Sequence, residues 1–244
     1  MSGIPGIKYI PIQETTPAIV VSSQDMDAAN YKLLKFICNA GQKLVFGDNG
    51  EEKFAWEGHL TLHGSGKLLE RAYRGETPKH FPWSGQKVIE YQKEFFDLEL
   101  CRNFVYHYAL QLEEWKGEYN QTDWLRETLK QSLDEEIQSN RIVATIYDPE
   151  RFNGERDVPC WQWLQLRKLR GNQVRLECLY RSWDVAAIWA NLAGIVKYMV
   201  DKVIFPAGGE LVEVFITGTS THVYRHDFEY ARKVVGEDNT KRLR

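Results

Sequence analysis

The side chains best suited to chemistry follow one another in the second half of the chain. Cys160 follows a proline, Arg181 and Asp184 come farther along, Asn191 lies in an otherwise apolar stretch, and His222 follows the next predicted strand. A cysteine thiolate is a nucleophile, and polar groups in an apolar region need partners. Each residue also has a structural explanation, since a free cysteine is commonly a small buried hydrophobe. The order of all of them together therefore carries the argument.

Other catalytic motifs are incomplete in this sequence. The segment His63-Gly64-Ser65-Gly66-Lys67 resembles a phosphate-binding loop, but Thr61 replaces the first glycine and Leu68 replaces the residue that binds magnesium. Pro159-Cys160 lacks the second cysteine and the His-x-Glu of the zinc deaminases. The six histidines show no metal-ligand spacing, and no serine lies in a Gly-x-Ser-x-Gly elbow. We therefore expect no metal site.

The composition excludes several classes of protein. The chain has 244 residues, of which 43% are hydrophobic and 27% charged, as in an ordinary globular protein and unlike a disordered one. It carries 31 Lys+Arg against 34 Asp+Glu, a net charge of -3. A domain that binds nucleic acid by electrostatics is usually basic. We therefore expect no nucleic acid partner.

The cysteines and the apolar segments favour an intracellular protein. The four cysteines are widely spaced and form no Cys-x-x-Cys pair, which argues against a zinc ribbon and a disulfide framework. The N-terminus lacks the basic start and apolar run of a signal peptide. The apolar stretch 185–200 is interrupted by Asn191 and Lys197 and is too short for a bilayer. We predict a cytoplasmic protein without a membrane partner.

Hydrophobic periodicity predicts the elements that must position these residues. Strand patterns occur within 7–23, at 54–56, 60–62, 141–147, 160–168, 174–180 and 211–216, and helical patterns at 25–40, 86–96, 122–138, 185–204 and 227–235. Arg170-Gly171-Asn172 between two strands predicts a hairpin. The region 64–83 shows no clear order. The pattern predicts one α+β domain over 1–244, with a mostly antiparallel or mixed sheet packed with helices.

The order of motifs resembles the thymidylate synthase family, including its pyrimidine hydroxymethylase relatives. In that family a Pro-Cys on a central strand is followed by Arg-Ser-x-Asp, then an Asn on the next helix, then His-x-Tyr. All four occur here in that order, and Phe104-Val105-Tyr106 is a weaker match. The resemblance implies a thymidylate synthase-like fold, with a divergent part over 1–80, a recognisable catalytic part over 81–235 and a basic tail over 236–244.

The resemblance also assigns roles at the reacting centre. Cys160 would add to C6 of a pyrimidine, with Arg181 stabilising the thiolate and Asn191 binding the edge of the base. Glu94 would be the general acid-base residue, with Glu90 as the alternative. Relatives that act on cytosine tend to carry Asp in place of Asn191, which favours uracil.

The remaining roles concern the phosphate, the sugar and the cofactor. Arg181 and Ser182 would bind the 5′-phosphate, and Arg141 would reach the phosphate bound by the neighbouring subunit of a homodimer. Gln165 would line the nucleotide pocket. The residues implied for the sugar hydroxyl and the folate pterin are His222, Tyr224 and Asp184.

Several features depart from the common enzymes. Asn140 replaces the first of two arginines, Trp161 replaces a histidine, and only 20 residues follow Tyr224. The chain thus resembles a short, divergent branch known from archaea and from nucleotide-modifying pathways.

The implied reaction is a C5 one-carbon transfer to a pyrimidine nucleoside monophosphate with 5,10-methylene-tetrahydrofolate or a related methylene-pterin. Conversion of dUMP to dTMP is favoured. A 5-hydroxymethylase acting on dUMP, dCMP or CMP, with water in place of hydride, is the alternative. A catalytically silent nucleotide- or RNA-binding homologue is a remote one.

Overall fold

The protein is built around one mixed sheet. The computed structural model describes residues 17–48, 51–104, 106–117, 119–155 and 158–240. The strands are β1 Ala18–Ser23, β2 Gln42–Asp48, β3 Glu51–Ser65, β4 Val143–Thr145, β5 Trp161–Lys168, β6 Gln173–Tyr180, β7 Trp183–Asp184 and β8 Glu210–Tyr224. Their order is β1-β3-β8-β6-β5-β4, with β2 beside β3 and β7 beside β8.

The sheet contains both kinds of strand pairing. β1 pairs with β3 in parallel, as do β6 and β7 with β8, whereas the β2–β3, β3–β8, β4–β5 and β5–β6 pairs are antiparallel. The parallel pairing of β6 with β8 requires a crossover, and a buried helix makes it. The mixed sheet packed with helices confirms the predicted α+β class.

Helices cover the sheet and carry much of the core. They are α1 Met26–Ala40, α2 Lys67–Tyr73, α3 Gly85–Glu94, α4 Leu98–Cys101, α5 Tyr108–Glu113, α6 Gln121–Asp134, α7 Pro149–Phe152, α8 Ile188–Met199 and α9 Phe228–Val235. Trp189 Nε1 and the Tyr230 hydroxyl both donate to Asn30 Oδ1, at 3.0 and 2.9 Å. These buried bonds join α8 and α9 to α1.

Most predicted elements are confirmed, with different limits. The predicted hairpin joins β5 and β6, and Gly171 provides the left-handed turn conformation with φ of 56°. The predicted strands at 54–56 and 60–62 are one strand, β3, whose register shifts between Gly58 and Leu60. That irregularity breaks the alternation on which the prediction depended. The region 64–83, for which the sequence pattern indicates no element, contains α2.

Two predicted helices are shorter than their apolar patterns. α8 begins at Ile188 because Asp184 Oδ1 accepts the Ala186 N–H at 3.0 Å and forms a turn before it. It then continues as a π-helical turn over Val200–Ile204. α6 ends at Asp134, and Glu136 adopts a left-handed φ of 54°. The predicted strand segment 7–16 and the tail residues 241–244 lie outside the described residues.

Candidate active site

The β5–β6 hairpin places the candidate nucleophile at the edge of a cavity. Cys160 immediately precedes β5, and its carbonyl accepts the Arg181 N–H at 2.9 Å, which ties it to the end of β6. Its side chain is partly exposed, whereas Cys38, Cys101 and Cys178 are buried. Burial raises the pKa of Cys38 and of Cys101 to about 12, which keeps those thiols protonated and unreactive.

The guanidinium of Arg181 lies next to the Cys160 thiol. Its Nη2 is 3.9 Å from Cys160 Sγ and donates to the Val158 carbonyl at 2.8 Å, and its Nε donates to the Pro159 carbonyl at 3.2 Å. These carbonyls orient the guanidinium without neutralising it. The arrangement therefore places a positive charge where a thiolate would form.

The cavity beside Cys160 has a volume of about 470 Å³ and a largely aromatic wall. It is lined by Tyr91, Glu94, Phe104, Tyr106, His107, Tyr108, Cys160, Tyr180, Ser182, Trp183, Asp184, Ala187 and Asn191. Its size is in the range of ligand pockets. Of the predicted site residues, the structure brings Cys160, Ser182, Asp184, Asn191 and Glu94 into this wall.

The Asn191 side chain has a fixed orientation in the first turns of α8. Its Nδ2 donates to the Ala187 carbonyl at 3.1 Å, and its Oδ1 accepts the Tyr91 hydroxyl at 2.9 Å. Because a carbonyl can only accept, the nitrogen end of the amide must face Ala187. One N–H and one lone pair of the amide remain for a ligand.

The two predicted carboxylates of the cavity come from different elements, β7 and α3. Asp184 ends the short strand β7, and burial raises its pKa to about 6. Glu94 ends α3, and burial together with repulsion from Glu90 raises its pKa. Glu90 itself is exposed, accepts a bond from Gln86 at 3.0 Å and does not line the cavity. The geometry thus distinguishes the two candidate glutamates by position.

Two further predicted residues lie beside the cavity rather than in its wall. His222 is buried on β8, which pairs with β7 so that His222 is opposite Asp184. Its ring lies 4.5 Å from that of Tyr224. Burial and the negative charge of Asp184 raise the pKa of Tyr224, while the positive charge of Arg181 lowers it.

The structure does not bring Arg141 and Gln165 to this cavity. Arg141 is exposed, and its backbone N–H donates to Ser139 Oγ. Gln165 lies in the middle of β5, paired with Val143, and its amide donates to the Asn140 carbonyl at 2.6 Å. It is five residue steps along the chain from Cys160, which corresponds to about 16 Å along a strand.

Sequence reasoning gave no role to the aromatic residues that surround the thiol. The Tyr106 hydroxyl is 4.0 Å from Cys160 Sγ, and burial together with that thiol raises the pKa of Tyr106 to about 12. His107 is buried in the same wall, and burial lowers its pKa to about 4. The run Phe104 to Tyr108, rich in aromatic residues with polar ends, is the signal that could have indicated them.

Comparison with known sequences decides the family. The sequence profile described as "Thymidylate synthase" matches residues 80–243, which is more than half of the chain. The chain belongs to the thymidylate synthase family. Membership supports an enzyme of pyrimidine C5 one-carbon transfer, and the family typically uses methylene-tetrahydrofolate.

The curated relatives are archaeal. A protein of Methanosarcina mazei named "Putative thymidylate synthase" is 27% identical over 220 residues, covering 88% of this chain and 94% of that protein. One from Methanosarcina acetivorans with the same name is 26% identical over 217 residues, covering 88% and 94%. One from Methanopyrus kandleri is 31% identical over 153 residues, covering 62% and 70%. These matches support the divergent archaeal-like branch.

The described part of the chain contains neither a metal-ligand cluster nor a membrane-spanning helix. Within the described part of the chain, no group of three or more His, Cys, Asp or Glu side chains could hold a metal ion. None of the described helices has the length and apolar character needed to cross a membrane.

Proposed function

We propose that this chain transfers a one-carbon unit to C5 of a pyrimidine nucleoside monophosphate, with conversion of dUMP to dTMP as the favoured reaction. The observation that carries the proposal is the partly exposed Cys160 thiol with Arg181 Nη2 at 3.9 Å, at a cavity that Asn191 also lines. A nucleophile, its positive neighbour and an amide that can bind a base thus surround one space of ligand size.

The fixed Asn191 amide supports discrimination between pyrimidines. Uracil presents an N–H at N3 and an acceptor at O4, whereas cytosine presents an acceptor at N3 and an amino group. An amide that could flip would bind either base, but flipping would turn Oδ1 toward the Ala187 carbonyl, and two acceptors repel. We assign uracil because cytosine-specific members of the family tend to carry Asp here.

The first chemical step follows from Cys160 and Arg181. The Cys160 thiolate adds to C6 and forms an S–C6 bond, and the electrons of the C5–C6 double bond move onto C5 and the O4 carbonyl. Arg181 stabilises the thiolate before the attack because its positive charge lies 3.9 Å from Cys160 Sγ. The carbon at C5 thereby becomes the nucleophile for the one-carbon unit.

The cavity residues fit a methylene-pterin. Asp184 is a half-buried carboxylate that can accept bonds from ring N–H groups. Asp184 would hold methylene-tetrahydrofolate or a related pterin, which would supply the one-carbon unit and, for a methyl product, the hydride.

Removal of the C5 proton falls to Tyr106 and Glu94. Tyr106 contacts the nucleophile at 4.0 Å, and Glu94 lies in the same cavity wall with a raised pKa. A carboxylate with a raised pKa is the stronger base. We propose that one of these two side chains accepts the proton, with ordered water as carrier. The electron pair released at C5 would expel the pterin from the one-carbon unit, and addition of hydride or water to that unit would break the S–C6 bond and return Cys160 to the thiolate.

The phosphate and the sugar are assigned to residues around the cavity. Arg181 and Ser182 would bind the 5′-phosphate, and His222 with Tyr224 would bind the sugar hydroxyl. Arg141 projects from the surface and would complete the phosphate site of a second subunit in a homodimer. This arrangement accounts for an arginine that contributes nothing to its own cavity.

The test uses uridine and cytidine monophosphates tritiated at C5, in ribo and deoxy forms, each with methylene-tetrahydrofolate. We expect tritium release to water from dUMP that disappears in Cys160→Ala. The Cys178→Ala variant is the matched control, because that cysteine is buried. Release that persists in Cys160→Ala would refute Cys160 as the nucleophile.

The product decides between the two reactions. A product mass with an added methyl group supports thymidylate synthesis, and one with an added hydroxymethyl group replaces it with the hydroxymethylase. Nucleotide binding without tritium release from any of the four substrates, with either methylene-tetrahydrofolate or a methanogen-type pterin, would indicate a silent nucleotide-binding homologue.

A further inference from the structure

One buried histidine in the cavity wall has a defined tautomer. His107 precedes α5, and its Nδ1 accepts the Ala109 N–H at 3.2 Å, capping the helix. Its ring packs edge-on against Phe95, with ring centroids 4.9 Å apart. Burial lowers the pKa of His107 to about 4, so the ring is neutral near pH 7. Because Nδ1 is the acceptor, the ring proton is on Nε2.

That Nε2–H is buried and has no partner among the described residues. His107 is 6% exposed, and its Nε2 is fully covered without a hydrogen bond. The Tyr180 hydroxyl is a second such atom, and its residue is 1% exposed. Both residues line the cavity that contains Cys160. Proteins rarely bury a donor unpaired, so two such donors in one cavity wall indicate bonds made to a ligand.

We propose that His107 is a further ligand-binding residue of this site, whose Nε2–H donates to a carbonyl oxygen of the pyrimidine base, with the Tyr180 hydroxyl as a second donor. The inference rests on the proposed function and deepens it. A neutral imidazole that already uses Nδ1 as its acceptor offers only a donor to the cavity. It therefore donates to a carbonyl oxygen and disfavours an amino group at that position, which selects uracil over cytosine.

The same bond contributes to the reaction. Addition of the Cys160 thiolate at C6 moves negative charge onto the carbonyl oxygen of the base. A fixed, buried donor binds that developing charge more strongly than it binds the neutral carbonyl. Loss of the donor is therefore expected to lower kcat more than it raises KM.

Two substitutions separate the two ring nitrogens. His107→Asn keeps an acceptor near Nδ1 for the Ala109 N–H but removes the distal donor, and asparagine is a good helix N-cap. His107→Gln places a donor near the Nε2 position but loses the cap geometry. The two variants thus distinguish ligand binding from a structural role in capping α5.

The measurements are nucleotide affinity, kcat and the urea midpoint of unfolding. For His107→Asn we expect dUMP affinity to fall about five- to tenfold, kcat to fall at least about tenfold, and the urea midpoint to remain close to that of the unaltered protein. For His107→Gln we expect a lower midpoint and dUMP affinity within about threefold. Equal dUMP affinity and kcat in His107→Asn and the unaltered protein would overturn the inference.

Nitrogen NMR of the imidazole gives a readout independent of activity. We expect the His107 Nε2–H signal to move downfield on addition of dUMP and to remain unchanged on addition of dCMP. An unchanged signal with saturating dUMP would show that Nε2–H bonds to water or protein, which also overturns the inference. If the unaltered protein binds no uridine nucleotide, the proposed function fails as well. If it binds and turns over dUMP while His107→Asn matches it, this inference fails alone.

Discussion

Burial shifts several ionisable side chains of the cavity toward their uncharged forms. The pKa of Asp184 rises to about 6, that of Glu94 rises, that of Tyr106 rises to about 12, and that of His107 falls to about 4. All four shifts have the loss of water as their largest cause. Arg181 is itself exposed, but its Nη2 lies 3.9 Å from Cys160 Sγ at the edge of these surroundings, so its charge can stabilise a thiolate there.

The raised pKa of Asp184 predicts a pH-dependent cost in stability. Its pKa is about 6 in the folded protein and has an ordinary value of 3.8. Between these values the unfolded chain has released the proton and the folded chain has not, so stability falls as pH rises from about 4 to about 6. Asp184→Asn cannot ionise, and its amide oxygen can still accept the Ala186 N–H. We expect it to be more stable than the unaltered protein by about 2 kcal/mol at pH 7.

Urea unfolding at several pH values checks this prediction. The stability difference between Asp184→Asn and the unaltered protein should shrink as pH falls from about 7 toward about 4. Asp97→Asn is a suitable comparison, since Asp97 also accepts a backbone N–H, from Leu100 at 3.0 Å, but is exposed. A difference that stays constant across this range would contradict the assignment of the buried charge.

At the residue scale, the sequence predicts the proposed reacting groups better than it predicts the residues that hold them in position. Cys160 and Asn191 were predicted from short motifs, because their chemistry is local to a few residues. Tyr91 and His107 were not, since each acquires its role only when α3 or α5 packs beside α8 and β5. The resemblance implies that Gln165 lines the nucleotide pocket, whereas in the structure its amide donates to the Asn140 carbonyl.

Helices α3 and α8 meet at an unusually close contact that supports the site. A methyl group on Gly194 would lie 2.4 Å from Phe95 Cε2, and Gln92 Nε2 donates to the Ala193 carbonyl at 3.0 Å. Gly194→Ala should therefore force the helices apart and destabilise the protein by about 1–3 kcal/mol, despite the better helix propensity of alanine.

A second glycine provides the control for this contact. A methyl group on Gly85, at the start of α3, would meet nothing within 4 Å. Gly85→Ala should thus leave the urea midpoint unchanged or slightly raised. If both substitutions give the same midpoint, the close packing of Gly194 against Phe95 does not contribute to stability.

The hydrogen bond from Tyr91 to Asn191 predicts that α3 contributes to base specificity. Tyr91→Phe removes the group that holds Asn191 Oδ1 at 2.9 Å, leaving the Ala187 carbonyl as the remaining constraint on the amide. We expect KM for dUMP to rise about fivefold and the preference for dUMP over dCMP to fall, in steady-state kinetics.

The matched control is Tyr73→Phe. Tyr73 donates to Asp201 Oδ1 at 2.8 Å and so bonds beyond the other end of α8, away from the cavity. Tyr73→Phe should leave the ratio of kcat/KM for dUMP to kcat/KM for dCMP unchanged. An unchanged ratio in Tyr91→Phe as well would show that Tyr91 does not position the amide.

Periodicity predicts the existence of these elements but not their limits. The apolar face of α6 was extended to Ile137, which is 53% exposed because the helix ends at Asp134. The start of α8 depends on a turn made by Asp184, a residue that also lines the cavity. Such boundaries come from side-chain bonds to the backbone, which apolar spacing does not report.

At the scale of the whole molecule, the position of Arg141 predicts shared active sites. If Arg141 serves the phosphate of a second subunit, Arg141→Ala and Cys160→Ala will each be inactive in isolation. A mixed dimer restores one intact site, so an equimolar mixture that has exchanged subunits should recover about a quarter of the activity. The measurement is tritium release after brief unfolding and refolding of the mixture.

The control for this mixture uses a residue that must act within its own subunit. Asn191 lines the same cavity as Cys160, so a mixture of Asn191→Ala with Cys160→Ala is expected to stay inactive, because each cavity of the mixed dimer carries one of the two substitutions. By contrast, a chain with both Arg141→Ala and Cys160→Ala should form inactive mixed dimers with the unaltered chain, because the intact cavity then lacks the arginine of its partner. Absence of recovery in the first mixture, with half-active mixed dimers of the double variant, would confine Arg141 to its own subunit.

The central position of β8 has a consequence for how the protein is made. Strand β8 lies between β3 and β6, and among the described strands it is the link between the group β1 to β3 and the group β4 to β6. A ribosome delivers residues from the N-terminus, so both groups emerge before Glu210–Tyr224 joins them. Until then each group exposes an unpaired inner edge, which is where chains associate wrongly. The cavity is assembled only after β8 has emerged, because β7, which carries Asp184, pairs with β8.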